Sequence, residues 1–107
     1  MKGKITHKAY MGNRRRYYRW RIRKVIREAM KEAKEFKVIV SCSEFYWDAA
    51  LYVTNEGIYF QVMEYNAFSV PQKLSSIEEG VEKLVNWILR HTLLDYSERW
   101  IITWEKL

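Results

Sequence analysis

The chain has 107 residues, of which 49% are hydrophobic and 30% are charged, and its net charge is +6. This length suits one domain and this balance is typical of a globular protein, so a disordered chain is excluded. No apolar run approaches the roughly 20 residues of a membrane span, and no apolar segment follows the basic start as a secretory signal requires.

The number of cysteines indicates in which cellular compartment the protein resides. Cys42 is the only cysteine, so an intramolecular disulfide cannot form. We therefore expect a cytoplasmic protein. The abundance of Lys, Arg and Glu beside only two glutamines resembles the composition of hyperthermophile proteins.

The first predicted element is a helix that follows an N-terminal arm. Residues 1–13 show little periodicity and contain Gly12 and Asn13, so we expect them to form a flexible basic arm before a single domain over residues 14–107. From Arg14 to Phe36 the apolar residues recur at steps of three and four, which predicts an amphipathic helix. They are Tyr18, Ile22, Val25, Ile26, Ala29, Ala33 and Phe36.

Three strands are predicted next. Lys37–Ser43 is rich in β-branched residues, and Trp47–Thr54 and Gly57–Tyr65 alternate as the strands of a hairpin. Asn55 and Gly57 suit a tight turn with positive φ. One hairpin face would carry Leu51, Val53, Ile58, Phe60 and Val62; the other would carry Asp48, Ala50, Tyr52, Tyr59, Gln61, Met63 and Tyr65. The tyrosines could form a stacking platform, but we expect a helix or a second subunit to cover this face.

The last elements are a helix and a strand. Phe68–Ser75 is predicted to be a loop, and Ser76 with Glu79 forms a capping box for a helix that ends near Thr92. In Ser97–Lys106 the residues Trp100, Ile102 and Trp104 share one face. The order is helix-β-β-β-helix-β, which predicts an α+β domain with a mostly antiparallel sheet of about four strands and two helices packed on it.

Charge is concentrated at one end of the chain. Residues 1–27 contain eleven Lys and Arg and no acidic residue, whereas residues 38–107 contain five basic and ten acidic residues. Such asymmetry indicates a polyanionic partner, and arginine grips phosphate oxygens with two parallel donors. We therefore predict a non-enzymatic protein that binds DNA or RNA with weak sequence selectivity. The predicted contact residues are Arg14, Arg15, Arg16, Tyr17, Arg19, Trp20, Arg23, Lys24 and Arg27.

Two other interpretations of the basic segment remain open. It can serve a homodimer or a protein–protein interaction module that meets an acidic partner, or it can meet an anionic membrane surface. Internal ion pairs from the arginines to Glu78, Glu79 or Glu82 would weaken the nucleic-acid hypothesis, whereas one open patch would strengthen it. An accessory protein of a virus or a mobile element fits the size of the chain.

A nuclease is the third alternative. The predicted element order resembles the core of the PD-(D/E)XK nucleases, which implies a metal-binding acid on the second strand and an acid-x-lysine on the third. Asp48 and Glu64 stand near those places, and Glu28 or Glu32 on the first helix would add a further acid. Asn66 stands where the lysine is expected, so the group that assists the nucleophile is missing.

No other chemistry is indicated. Two histidines and one cysteine, far apart, match no zinc spacing, and no glycine-rich phosphate loop is present. His91 near the end of the second helix is expected to meet the helix dipole. We therefore predict no catalytic residue, no metal, no cofactor and no small-molecule substrate.

Overall fold

The structure, a computed structural model, describes residues 7–42, 47–65, 67–95 and 100–107. These residues form two helices and six strands. In chain order they are α1 (His7–Glu32), β1 (Phe36–Cys42), β2 (Trp47–Thr54), β3 (Gly57–Glu64), β4 (Ala67–Phe68), β5 (Gln72–Leu74), α2 (Ile77–Asp95) and β6 (Trp100–Lys106).

The strands form one antiparallel sheet in the order β4-β3-β2-β1-β6, and β5 also pairs with β3. β1 lies between β2 and the edge strand β6, and its alternate residues from Phe36 to Cys42 are buried beneath the helices. Helix α1 packs over β1 and β6, and α2 packs over β2, β3 and β5. Because both helices use the same face, the fold has two layers, and the predicted α+β class is confirmed.

The core lies between the helices and the sheet. It contains most of the apolar positions predicted for the two helices, together with the alternate residues of β1 and β2. The hairpin face expected to be apolar is turned to the helices, since Leu51 is fully buried and Ile58, Phe60 and Val62 pack against the core. The alternation of each strand thus sends one set of side chains inward, as predicted.

Several predicted boundaries were wrong. Helix α1 begins at His7, so residues 7–13 of the expected arm are helical; residues 1–6 lie outside the described part. The helix ends at Glu32, because Phe36 starts β1 and is buried in the sheet. Part of the expected loop between Phe68 and Ser75 pairs with β3 as β4 and β5. The start of the last predicted strand, residues 97–99, is also outside the described residues.

Local hydrogen bonds explain the turn and the start of α2. Gly57 has φ 151°, but Asn55 is not in the positive-φ region; the Thr54 hydroxyl instead accepts the N–H groups of Glu56 and Gly57. At the start of α2, Ser76 Oγ accepts the Glu79 N–H at 3.1 Å, as predicted. The Glu79 carboxylate, however, binds the N–H and the hydroxyl of Ser75, which lowers the pKa of Glu79.

Candidate nucleic-acid interface

The predicted contact residues of α1 do not all face the same way. Arg19 Nε and Nη2 donate to the two carboxylate oxygens of Glu82 at 2.6 and 3.2 Å, and Arg23 Nη2 lies 2.6 Å from Glu78. Arg15 donates to Asn86 at 2.7 Å and lies 3.6 Å from Glu82. These three arginines face α2, so they hold the two helices together.

The ion pairs between α1 and α2 shift the pKa values of their members. The hydrogen bond from Arg19 is the main reason that the pKa of Glu82 lies below its ordinary value, with smaller contributions from the charges of Arg15 and Arg23. The bond to Glu78 likewise raises the pKa of Arg23. Internal pairing, the outcome that weakens the nucleic-acid hypothesis, therefore holds for three of the nine predicted contact residues.

Five further predicted contact residues are exposed, and together we call them the outer face of α1: Arg16, Tyr17, Trp20, Lys24 and Arg27. Trp20 is 55% exposed and Tyr17 is 45% exposed, although both are large aromatic residues. Lys24 Nζ lies 5.6 Å from the centre of the Trp20 ring. Exposed aromatic rings and cations thus alternate along one helix face, as single-strand binders use them.

Arg14 and Arg16, both near the start of the basic segment, differ in their exposure. Arg14 is half-buried on α1. Arg16 is exposed, and its closest hydrogen-bond partner is the side chain of Asn13 on the same helix, at 3.5 Å. Only Arg16 of the two is therefore counted with the outer face.

A groove runs between α1 and the edge strand β6. It encloses about 250 Å³ and is lined by Tyr17, Trp20, Arg21, Lys24, Glu28 and Ile102, among others. The Arg21 guanidinium lies 5.5 Å from the centre of the Tyr17 ring and donates to the Trp100 carbonyl at 3.4 Å. Arg21 and Ile102 were not predicted as site residues, and Glu28 was predicted only as a further acid of the nuclease alternative. Arg21 could have been found from the sequence, because side chains four residues apart on a helix, such as Tyr17 and Arg21, are neighbours.

The tyrosine face of the hairpin is not covered by either helix, contrary to the expected helical cover. Tyr52 and Tyr59 are opposite each other in the β2–β3 pairing, and the two line a shallow apolar hollow with Gln61. The face also carries charges of both signs, since Lys37 lies 3.3 Å from Glu105 and Asp48 is nearby. A surface of balanced charge gives no electrostatic attraction for a polyanion.

The acids required by the nuclease resemblance do not meet. Asp48 pairs with Met63 and lies on the open face, where burial raises the pKa of its carboxyl group. Glu64 is on the helix side, 3.3 Å from His91 Nε2. Because the sheet separates the two carboxylates, they cannot share a cation. Within the described residues no group of three potential ligands is placed to hold a metal.

His91 lies in the last turns of α2, near the helix end as predicted. Helix α2 continues to Asp95, and His91 is buried with its Nδ1 2.8 Å from the Trp87 carbonyl. Its ring packs against those of Trp87 and Trp100, and the Trp100 indole donates to Thr92 at 2.9 Å. His91 therefore belongs to the packing between α2, β3 and β6 rather than to a reactive centre.

Comparison with known proteins adds no family assignment: no protein-family model, no curated protein and no solved structure matches this chain. Neither helix of the described part is long and apolar enough to cross a membrane.

Proposed function

We propose that this protein binds nucleic acid through the outer face of α1. The observation that carries the proposal is the exposure of Trp20 and Tyr17 between Arg16, Lys24 and Arg27 on one side of a helix. Exposed apolar side chains that lie together, as the rings of Trp20 and Tyr17 do at 6.4 Å between their centres, mark interaction sites. The cations on either side of it make a polyanion with flat rings the best match.

The mechanism is electrostatic capture followed by ring contact. Guanidinium and ammonium groups neutralise phosphates and release condensed counterions, which gives affinity that does not depend on sequence. The aromatic side chains then stack on bases or pack on sugars beside the backbone. The inward arginines contribute indirectly, because their bonds to Glu78 and Glu82 hold α1 in place on α2.

The ion pairs of Arg19 and Arg23 with α2 also support the outer face of α1 as the binding surface. Glu78 and Glu82 are neutralised by Arg23 and Arg19, so the two acids beside α1 do not cancel the charge of its outer face. An acidic protein partner remains the competing function, because it would meet the same cations. The two functions differ in the salt dependence and in the response to nucleic acid, which the following experiment measures.

The experiment compares two triple variants that remove the same charge. The outer variant is Arg16→Gln, Lys24→Gln and Arg27→Gln; the inner variant is Arg15→Gln, Arg19→Gln and Arg23→Gln. Fluorescence anisotropy measures binding of labelled single- and double-stranded DNA and RNA at several salt concentrations. Three lost phosphate contacts should reduce the slope of log K against log salt by about two for single strands. The inner variant should keep the slope and lose some stability, because Glu78 and Glu82 lose their partners.

Equal loss of slope in both variants would contradict the assignment to the outer face, because binding would then follow net charge alone. No binding of any nucleic acid to the wild-type protein at low salt would contradict the function itself and favour an acidic protein partner.

A further inference from the structure

The groove between α1 and β6 differs from the rest of the cationic surface because it contains a carboxylate. Tyr17 and Trp20 form one wall, their ring centres 6.4 Å apart, and Ile102 contributes from the edge strand. Arg21 and Lys24 lie on these rings, and Glu28 lines the same groove. A purely electrostatic phosphate track would be weakened by an acid at this position.

The shape of the groove favours a ring rather than a phosphate. Its 250 Å³ is several times the roughly 30 Å³ that one water occupies in the liquid. Tyr17, Trp20 and Ile102 supply apolar wall beside the charged groups of the groove, and the exposed ring of Trp20 offers a stacking surface. In a duplex the faces of the bases are hidden by their neighbours, so only an unstacked base of a single strand can enter.

The carboxylate of Glu28 selects among the bases. An ionised carboxylate only accepts hydrogen bonds, through two oxygens side by side. Guanine alone presents two adjacent donors, N1–H and the N2 amino group, on its Watson–Crick edge. Adenine and cytosine present one donor next to an acceptor, and uracil presents one donor between two carbonyl oxygens that the carboxylate would repel.

We infer that the α1–β6 groove binds an unstacked guanine of a single-stranded nucleic acid, with the ring against Trp20 and Tyr17 and the Watson–Crick edge on Glu28. The inference rests on the proposed function and adds the strand state and the base to it. Lys24 is exposed on a flexible stem, so its ammonium group can leave the Trp20 ring for a neighbouring phosphate when the base stacks.

The test uses labelled uridine RNA of roughly ten nucleotides, within the site size of single-strand binders. The central uracil is replaced by guanine, by hypoxanthine, which lacks the N2 amino group, or by adenine. Anisotropy should show the guanine RNA binding about tenfold more tightly than the uridine RNA, as expected for two hydrogen bonds to one base. Hypoxanthine should fall between the two, and adenine should bind like uracil.

Two variants separate the carboxylate from general charge. Glu28→Gln should abolish the preference for guanine while keeping or increasing the affinity for uridine RNA. Glu32→Gln removes the same charge from the same helix outside the groove, and it should keep the preference. Both residues are exposed, so circular dichroism should show the wild-type helix signal in each variant.

The outcomes distinguish this inference from the function on which it rests. If guanine and uridine RNAs bind equally well, or if Glu28→Gln keeps the preference, the guanine site is refuted and the binding function stands. If a duplex of the same length competes as well as the single strand, the unstacked base is refuted. If no RNA binds to the wild-type protein at low salt, the proposed function fails as well.

Discussion

Gly80 is the point at which α2 comes closest to the sheet, and its replacement by alanine tests how tightly the two layers are packed. A Cβ at this position would overlap Leu51 Cδ1 and would lie 2.8 Å from Leu51 Cδ2. Carbon atoms prefer separations of about 3.5–4.0 Å. Leu51 is fully buried, so its side chain has no open space into which to move.

Two effects of Gly80→Ala oppose each other. Alanine in place of glycine inside a helix gains about 1 kcal/mol of intrinsic helix propensity, whereas overpacking a filled core costs about 1–3 kcal/mol. Because the added Cβ overlaps Leu51 Cδ1, we expect the cost of overpacking to exceed the gain in helix propensity. The free energy of unfolding should fall by about 1–2 kcal/mol, which lowers the melting temperature by roughly 4–8 °C for each kcal/mol in a domain of this size.

Urea denaturation followed by circular dichroism measures the change, and the chain offers a matched control. Gly12 is also helical, but a Cβ there meets no atom of the described residues within 4 Å. Gly12→Ala should therefore stabilise the protein by up to about 1 kcal/mol. In a double-mutant cycle with Leu51→Ala, Gly80→Ala should couple by at least about 0.5 kcal/mol. A Gly80→Ala variant as stable as Gly12→Ala, with additive effects in the cycle, would refute the close packing.

The remaining predictions concern carboxylates. The pKa of Glu82 is lowered by Arg19, so this pair adds stability above the ordinary glutamate pKa of about 4.3 and loses it as the pH falls through the lowered value. Glu82→Gln should cost up to about 1 kcal/mol at neutral pH and nothing in acid; a difference between the two proteins that does not depend on pH in urea titrations would contradict the pair. The pKa of Asp48 is raised by burial, so its ionisation destabilises the fold as the pH rises through the raised value. Asp48→Asn should therefore gain roughly half a kcal/mol or less at neutral pH and no advantage below about pH 3.9, and a loss of stability at neutral pH would contradict this assignment.

Much of the architecture could be predicted because periodicity reports which side of an element is buried. The step of three and four around Ile22 and Ile26 identified the inner side of α1, and Trp20, which does not share that step, is exposed. Element ends were harder to predict, since they depend on partners elsewhere in the chain. Phe36 continues the helical period, yet it is the first residue of β1 because β2 and β6 pair with it there.

The candidate site illustrates the same limit. Residue type and charge indicated the basic helix, but they could not show that Arg19 and Arg23 would meet acids more than 50 residues away. The carboxylates of Asp48 and Glu64 are a different case, because the alternation of β2 and β3 already implied the opposite faces of the sheet on which they lie. Contacts between distant segments are set by how elements pack, and no local pattern encodes them.

The sequence by itself determined the α+β class, the inward faces of the helices and strands, and the concentration of positive charge in α1, because composition and periodicity are local properties. Only the tertiary structure decided which cations hold α2 and which face outward, since α2 can neutralise only the side of α1 that packs against it. It also created the groove between α1 and β6, because the residues that line it, from Tyr17 to Ile102, come together only when the last strand pairs with the first.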